Sequence, residues 1–276
     1  MPKFIVGARL HDYGKGSPDE LFGRVAADGF AAVQLAYKKC VPSVRSYADV
    51  TDALVAETVA AEKAHSIQVA VLGTYVELAI NDESRLKNAA DFKSQLAVCK
   101  ALGAGCIGTE TTGMEKQPAG TTREEAQELL CRSLADILPA AEALGVTVAV
   151  EPVTYHSMNS AAATRHILDT MRSPNLKVIF DMSNLVDAGN VGAQDRIWND
   201  VGELLGDQIV AVHFKGQAFA PDGGLLHTSL EDSLTDYAGA FAMLRQLPQD
   251  ALPVLREEAV PARAASDIAF MGGFFA

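Results

Sequence analysis

The chain has 276 residues, of which 49% are hydrophobic and 21% charged, so it is long and apolar enough for a large core. Its net charge of −12, with no local cluster of Lys and Arg, opposes binding to phosphate backbones, so we expect no nucleic-acid partner. No apolar run approaches the ~18 residues of a membrane span and no secretory signal is visible, so we expect a cytoplasmic protein with no membrane partner.

Short, β-branched, apolar runs recur along the chain. Because most of them do not alternate apolar with polar residues, they are typical of strands that are buried on both faces of a parallel sheet. In chain order, the runs predict strands at 4–9, 31–35, 67–73, 106–110, 146–151, 176–181, 209–215 and 252–257.

Helical patterns separate these runs. Ser17 and Pro18 form an N-cap and a first helical turn, and Gly29 ends that helix. Thr122 and Glu125 fit a capping box at the start of a long helix. In chain order, the predicted helices cover about 18–28, 47–65, 83–102, 122–144, 160–171, 193–206, 234–247 and 261–275, and the polar segments 111–120 and 216–230 are predicted as loops.

Eight predicted strands thus alternate with eight predicted helices. The mean unit length is 276/8, or 34.5 residues, which is close to the ~30 residues of a βα unit. An alternation this regular favours a closed (β/α)8 TIM barrel, formed as one domain by residues 1–276, over an open doubly wound sheet.

Four of the later strands each end on a residue type that binds metals. Glu151, Asp181 and His213 close the fifth, sixth and seventh strands, and Glu257 and Glu258 follow the eighth. Carboxylates and imidazole are ligands of divalent cations. Since the carboxyl ends of barrel strands meet at one face, we expect these side chains to share one mouth.

Four segments around these positions resemble a known family. Val-Glu-Pro at 150–152, Ile-Phe-Asp-Met-Ser-Asn-Leu at 179–185, Val-His-Phe-Lys-Gly at 212–216 and Leu-Arg-Glu-Glu at 255–258 are similar to motifs of the sugar phosphate isomerase/epimerase group. That group has the xylose isomerase-like barrel and includes tagatose/psicose 3-epimerases, hydroxypyruvate isomerases and inosose dehydratases. The resemblance extends over essentially the whole chain.

The resemblance implies one divalent ion, Mn, Co, Mg or Zn, with Glu151, Asp181, His213 and Glu257 as ligands. It also implies that Glu151 and Glu257 exchange the proton of the substrate carbon through a metal-stabilised enediolate. The family's strand-eight Glu favours Glu257 over Glu258, because only one of two consecutive residues can point inward.

The sequence departs from the family pattern at three positions. Asn184, Ser157 and Gly216 stand where many members have His, Glu and Asp. These changes leave the implied metal ligands intact and bear on the choice of sugar and reaction. Candidate substrate contacts, chosen as residues near the predicted mouth, are His156, Asn184, Lys215, Arg256, Glu110 and Tyr75.

We therefore expect an isomerase or epimerase of a small keto-sugar, polyol or sugar acid, with a homo-oligomer as one option for its assembly. An alternative is a metal-dependent dehydratase of an inosose or a sugar acid. Less favoured are a phosphodiesterase of the endonuclease IV type, which the net charge and the few histidines oppose, and a non-catalytic sugar-binding protein.

Overall fold

The computed structural model describes residues 1–275, and a closed barrel of eight parallel strands lies at its centre. A separate antiparallel hairpin follows the seventh barrel strand, so the strands within residues 1–275 number ten. They are β1 Lys3–Arg9, β2 Ala32–Leu35, β3 Gln68–Gly73, β4 Cys106–Glu110, β5 Val148–Glu151, β6 Leu176–Asp181, β7 Ile209–Phe214, β8 Gly216–Phe219, β9 Leu225–Thr228 and β10 Ala251–Arg256.

The barrel closes between its first and last strands. Strand β1 pairs in parallel with β10, from Lys3 opposite Ala251 to Ala8 opposite Arg256. The remaining barrel strands follow one another in chain order, and β8 and β9 pair only with each other. The (β/α)8 prediction is therefore confirmed.

Helices surround this barrel. The α-helices are α1 Pro18–Ala27, α2 Tyr37–Cys40, α3 Asp52–His65, α4 Asp82–Ser94, α5 Leu96–Leu102, α6 Arg123–Leu144, α7 Ala161–Met171, α8 Gln194–Leu205, α9 Tyr237–Leu244 and α10 Ala264–Gly272. Short 3₁₀ turns cover Leu10–Tyr13, Tyr47–Asp49, Met114–Lys116, Val191–Ala193, Gly206–Gln208 and Pro261–Arg263. Within the described residues, no helix is both long enough and apolar enough to span a bilayer.

The predicted caps are present at two helix starts. The Ser17 side chain accepts from the Glu20 backbone N–H, and the Glu20 carboxylate accepts from the Ser17 backbone N–H in return. Thr122 and Glu125 make the same reciprocal pair at the start of α6. Each cap satisfies backbone donors that the first helical turn leaves without partners, so these local sequences fix where α1 and α6 begin.

Two predictions about secondary structure were wrong in detail. The segment 83–102 forms two helices, because α4 ends before Gln95 and α5 begins after it. The predicted loop 216–230 contains the hairpin β8–β9, with Gly223 in the left-handed region at φ +86°. Gly216 is needed there, since a Cβ atom would lie 2.3 Å from the Ser229 carbonyl oxygen.

The barrel interior is filled by small and branched apolar side chains. At Gly108 an added Cβ would lie 2.5 Å from Cδ1 of Ile179, so there is little free space at this level. The interior is therefore a packed core, and the polar residues lie above it at the carboxyl ends of the strands. Its buried members are Ala32, Ala70, Val71, Cys106, Ala149, Ile179, Ala211 and Leu255.

Candidate functional site

Three residues of metal-binding type converge at the carboxyl ends of β5, β6 and β7. Glu151, Asp181 and His213 each offer a ligand atom, and these atoms all lie within 4.8 Å of one another. All three side chains are buried. They meet because each closes a strand of one parallel barrel, with Asp181 directly opposite His213 in the β6–β7 register.

Glu257 reaches the same cluster from β10. Its Oε1 lies 3.4 Å from Nδ1 of His213, although it is not one of the three whose ligand atoms all lie within 4.8 Å of each other. Glu258 turns away with φ +54°, its side chain is 41% exposed, and it pairs with Arg9 at 2.8 Å. Of the two consecutive glutamates, Glu257 is therefore the one in the mouth.

Asp181 is anchored through one of its two carboxylate oxygens. Its Oδ1 accepts from the backbone N–H groups of Ser183 at 2.8 Å and Asn184 at 3.0 Å. Its Oδ2 makes no hydrogen bond, although Nζ of Lys215 lies 2.9 Å away. One oxygen thus fixes the orientation of the side chain, and the other forms an ion pair with Lys215, whose place beside this oxygen a metal ion would take.

The His213 ring provides the test of whether a metal ion fits. Neither ring nitrogen makes a hydrogen bond, although Nδ1 lies 3.1 Å from Oε2 of Glu151. Nε2 has no polar partner, and a buried ring nitrogen without one is costly and rare in native structures. Together with the carboxylate oxygens of Glu151 and Asp181, the ring forms a mixed nitrogen and oxygen donor set of the kind that binds divalent cations. The residues therefore fit an ion.

Asn184 and Lys215 connect the members of this cluster. Nζ of Lys215 donates to Oδ1 of Asn184 at 2.7 Å, and Nδ2 of Asn184 donates to Oε1 of Glu151 at 2.7 Å. Nζ of Lys215 also lies 3.8 Å from Oε2 of Glu257. The amide of Asn184 is thus fixed between a cation and a carboxylate, and it orients Glu151.

The carboxyl groups of the mouth have pKa values that move in different directions. Burial raises the pKa of Glu151, more than its pairing with His213 lowers it. Burial would also raise the pKa of Glu257, but the cationic groups of His213, Lys215 and Arg9 outweigh it and lower that pKa. Groups with such opposed shifts suit acid and base roles in one site.

Two of the predicted substrate contacts line the same cavity as Glu151, His213 and Glu257. Tyr75 has φ +52°, and its hydroxyl accepts from Nε2 of Gln34 at 2.9 Å. Glu110 closes β4, and burial together with Glu151 and Glu257 raises its pKa to about 7. The structure thus brings both residues to the metal-type cluster.

His156 is close to the site but does not line this cavity. Its ring is buried, with Nδ1 3.4 Å from Oγ1 of Thr111. Burial, followed by the nearby Lys116, lowers the pKa of His156 to about 4, which favours a neutral ring. The side chain is therefore held in the wall of the β5–α7 loop.

The structure places Arg256, a predicted substrate contact, on the helix side of its strand. Its Nε donates to Oδ2 of Asp267 in α10 at 2.8 Å, and its Nη1 donates to the carbonyl oxygen of Glu257. Successive residues of a strand point to opposite faces. Leu255 lies in the barrel interior and Glu257 in the mouth, so Arg256 between them faces the helix layer.

Arg9 is a residue of the mouth that the sequence analysis missed. Its guanidinium lies 3.9 Å from Oε1 of Glu257 and pairs with Asp12 at 2.7 Å and Glu258 at 2.8 Å. Arg9 closes β1 as Glu151 closes β5, so the same strand-end rule applied to cations would have found it.

Larger clefts lie elsewhere on the molecule. One of about 690 Å³ is lined by residues of α8 and α9, and one of about 710 Å³ lies at the amino ends of the first strands. Within residues 1–275, however, the only group of three or more metal-type side chains is Glu151, Asp181 and His213. The candidate site is therefore identified by its metal-type side chains and not by the volume of its cavity.

The chain is similar to known proteins in family and in fold. Residues 22–271 match the family model described as xylose isomerase-like TIM barrel. No curated protein sequence matches the chain.

Three solved structures illustrate the likeness of fold. A 3-keto-D-glucoside 4-epimerase from E. coli is 17% identical, with 99% of this chain and 100% of that chain covered and a TM-score of 0.72. A D-allulose 3-epimerase from Methylomonas sp. is 15% identical, with 99% of both chains covered and a TM-score of 0.72. The IolI protein, solved with a zinc atom, is 16% identical, with 99% and 96% covered and a TM-score of 0.75.

Proposed function

Because the chain belongs to the xylose isomerase-like TIM barrel family, we propose that it is a divalent-metal-dependent isomerase or epimerase of a small keto-sugar, polyol or sugar acid. The observation that carries this proposal is the convergence of Glu151, Asp181 and His213 in one buried mouth. Two of the similar folds are named as sugar epimerases and a third was solved with zinc, which supports the same conclusion.

The ion would be held by Glu151, Asp181 and His213, with Glu257 as the fourth ligand. Oxygen and imidazole donors in this proportion suit Mn, Co, Mg or Zn. When bound, the ion supplies Lewis-acid polarisation of a carbonyl or hydroxyl oxygen of the substrate. The chain itself supplies orientation, since Asp181 is fixed by two backbone N–H groups and Glu151 by Asn184.

Glu151 and Glu257 are the proposed acid/base pair. Both have a carboxylate oxygen within 3.4 Å of Nδ1 of His213, so they approach the centre of the mouth from β5 and β10. One carboxylate can accept a proton from the substrate carbon and the other, when protonated, can return one. Their approach from two different strands suits them as such a pair.

Tyr75, Glu110 and Lys215 are the proposed contacts to substrate hydroxyl groups, and Asn184 is the proposed link that orders them. Tyr75 and Glu110 line the cavity that Glu151 and Glu257 share. The ammonium group of Lys215 lies 2.9 Å from Oδ2 of Asp181 and 3.8 Å from Oε2 of Glu257, so it offsets part of the negative charge of the mouth.

Dehydration is a second candidate, and Glu110 favours it. A carboxyl with its pKa raised to about 7 can hold a proton near neutral pH and give it to a departing hydroxyl group. The first step, removal of a proton from the substrate carbon, would be shared with the isomerase.

The test is proton NMR in deuterated water with metal-loaded protein and a panel of ketohexoses, keto-disaccharides, sugar acids and inososes. Deuterium on a substrate carbon with the molecular formula retained indicates isomerisation or epimerisation, and loss of water indicates dehydration. Chelated protein serves as the control. If no member of the panel exchanges deuterium with any of the four metals, the proposal fails.

A further inference from the structure

A second cavity lies beside the mouth and is not used by the proposed chemistry. It has a volume of about 250 Å³ and lies between the β5–α7 loop, the β6–α8 loop and the hairpin β8–β9. We call it the hairpin cavity. Its apolar walls include Tyr155, Phe219 and Leu225, and its polar walls include Ser183, Asn184 and Gln217.

Asn184 joins the hairpin cavity to the mouth. It lines the cavity, while its Nδ2 donates to Oε1 of Glu151 and its Oδ1 accepts from Lys215. A molecule that reacts beside Glu151 could therefore extend past one side chain into the hairpin cavity. The two spaces are neighbouring parts of the same face of the barrel.

The wall that the hairpin contributes is held in place by hydrogen bonds. Nε2 of Gln217 donates to the carbonyl oxygens of Ser183 at 2.7 Å and Val186 at 3.0 Å. Oγ of Ser183 donates to the carbonyl oxygen of Lys215 at 2.8 Å. The cavity is thus preformed, which is usual for small-molecule sites.

Apolar side chains remain in contact with solvent at this cavity. Tyr155 is 51% exposed and Leu225 is 42% exposed, and they approach the cavity from different loops. Single exposed apolar residues are common, but two that line one concave space beside a candidate active site suggest that a ligand covers them.

The chemistry of the walls indicates an uncharged occupant. Among the described residues that line the cavity there is no Lys or Arg to bind a phosphate or carboxylate, and the one charged side chain is Asp187. Oδ1 of Asp187 accepts from the backbone N–H groups of Gly189 and Asn190. Aromatic and aliphatic surface with a few hydroxyl and amide groups suits a neutral ring that carries hydroxyl groups.

We propose that the hairpin cavity binds the non-reacting part of the substrate, an uncharged second ring or glycosidic substituent. The preferred substrates are then glycosides or keto-disaccharides rather than free monosaccharides or sugar phosphates. The size is consistent, since 250 Å³ holds part of a ligand, whereas whole ligand sites are about 300–1,000 Å³. This inference takes from the proposed function only that the reacting end of the substrate lies in the mouth.

Two neighbouring residues of β9 provide a matched test. Leu225 lines the hairpin cavity, whereas Leu226 is similarly exposed at 47% and does not line it. In the hairpin they pair with Phe219 and Ala218, so they point to opposite faces. Leu225→Asp places a carboxylate in the cavity, and Leu226→Asp places the same group outside it.

The experiment is saturation-transfer NMR and calorimetric titration of metal-loaded protein with phenyl β-D-glucopyranoside. We expect the phenyl glucoside to bind to wild type and to Leu226→Asp, with saturation transferred from the protein to the phenyl protons. Binding to Leu225→Asp should be about tenfold weaker, because the ligand would desolvate the added carboxylate. No binding to wild type, or equal binding to both variants, overturns the proposal. Tighter binding of D-glucose 6-phosphate than of the phenyl glucoside overturns its uncharged character.

These outcomes separate the inference from the function on which it rests. If the phenyl glucoside binds as expected while no sugar exchanges deuterium in the metal-loaded protein, the cavity is a ligand site and the isomerase proposal fails. If deuterium exchange occurs and Leu225→Asp binds the phenyl glucoside as wild type does, the isomerase stands and the hairpin cavity is not a subsite.

Discussion

Two buried cations at strand ends, Lys215 after β7 and Arg256 in β10, differ in the face of the barrel to which they point. Nζ of Lys215 faces the mouth and lies 2.9 Å from Oδ2 of Asp181. Nε of Arg256 faces the helix layer and donates to Asp267 at 2.8 Å. Both are ion pairs with almost no solvent exposure, so burial alone does not distinguish a site from a structural contact.

The difference lies in the charge that each region leaves uncompensated. Behind β10, the carboxylate of Asp267 has two guanidinium groups near it, those of Arg256 and Arg263. In the mouth, the four carboxyl groups of Glu110, Glu151, Asp181 and Glu257 face two fixed cations, Lys215 and Arg9, and both nitrogens of His213 lack hydrogen bonds. The negative charge of Asp267 behind β10 is therefore balanced, whereas the mouth carries an excess of negative charge that a bound cation would neutralise.

The largest effect is expected from Glu151→Gln, which removes a metal ligand and half of the proposed acid/base pair. Turnover of the metal-loaded protein should fall by about 10²–10⁴-fold, the usual contribution of acid/base catalysis. Glu258→Gln is the control, because Glu258 does not line the mouth cavity and its carboxylate pairs with Arg9 rather than with a proposed ligand. Loss of turnover in Glu258→Gln with full turnover in Glu151→Gln would reverse the assignment of the mouth.

Arg256→Met should act on stability instead. Loss of the guanidinium leaves Asp267 buried beside only the more distant Arg263, so urea unfolding should show a free energy of unfolding about 3–5 kcal/mol lower. Turnover per folded molecule should not change. The double variant Arg256→Met with Asp267→Leu removes both charges and should recover most of the loss. A variant that unfolds normally but does not turn over would place Arg256 in the site.

Removal of the metal ion from the mouth should lower the free energy of unfolding of the protein. At an ion concentration 100 times the Kd, binding contributes about 2.7 kcal/mol, so chelation should lower Tm by several degrees in a thermal scan. His213→Ala should show no such dependence on the ion. The same chelation effect in His213→Ala and in wild type would locate the ion elsewhere.

Asn184→Ala is expected to have the smallest effect, about a tenfold fall in kcat, because Glu151 loses the donor that orients it. The metal-dependent rise in Tm should persist, since Asn184 is not a proposed ligand. Asn190→Ala is the matched control, because Nδ2 of Asn190 donates to the carbonyl oxygen of Leu185 rather than to the mouth. Equal kcat values for the two variants would remove Asn184 from the proposed machinery.

The barrel and the convergence at its mouth could be predicted because both depend on local signals. Doubly buried parallel strands appear as unbroken apolar runs, and a closed barrel brings their carboxyl ends together. Each of the three metal-type residues directly follows such a run: Glu151, Asp181 and His213. Their shared location therefore follows from the fold once the eight strands are recognised.

The remainder depends on information that is not local. Successive residues of a strand point to opposite sides, so an error of one residue in the predicted end of the strand turns Arg256 from the helix layer to the mouth. The hairpin β8–β9 consists of two four-residue strands in a Gly-rich segment, and β8 is fixed by the bonds of Gln217 to the β6–α8 loop. The link of Asn184 to Lys215 joins residues 31 positions apart and requires the folded barrel.

The most direct test of the account is anomalous diffraction from crystals grown with Mn²⁺. The account requires one manganese peak in the mouth, coordinated by Glu151, Asp181 and His213 with Glu257 as the fourth ligand. A mouth in which Lys215 remains paired with Asp181 while manganese is absent, or is bound at another surface, would contradict it.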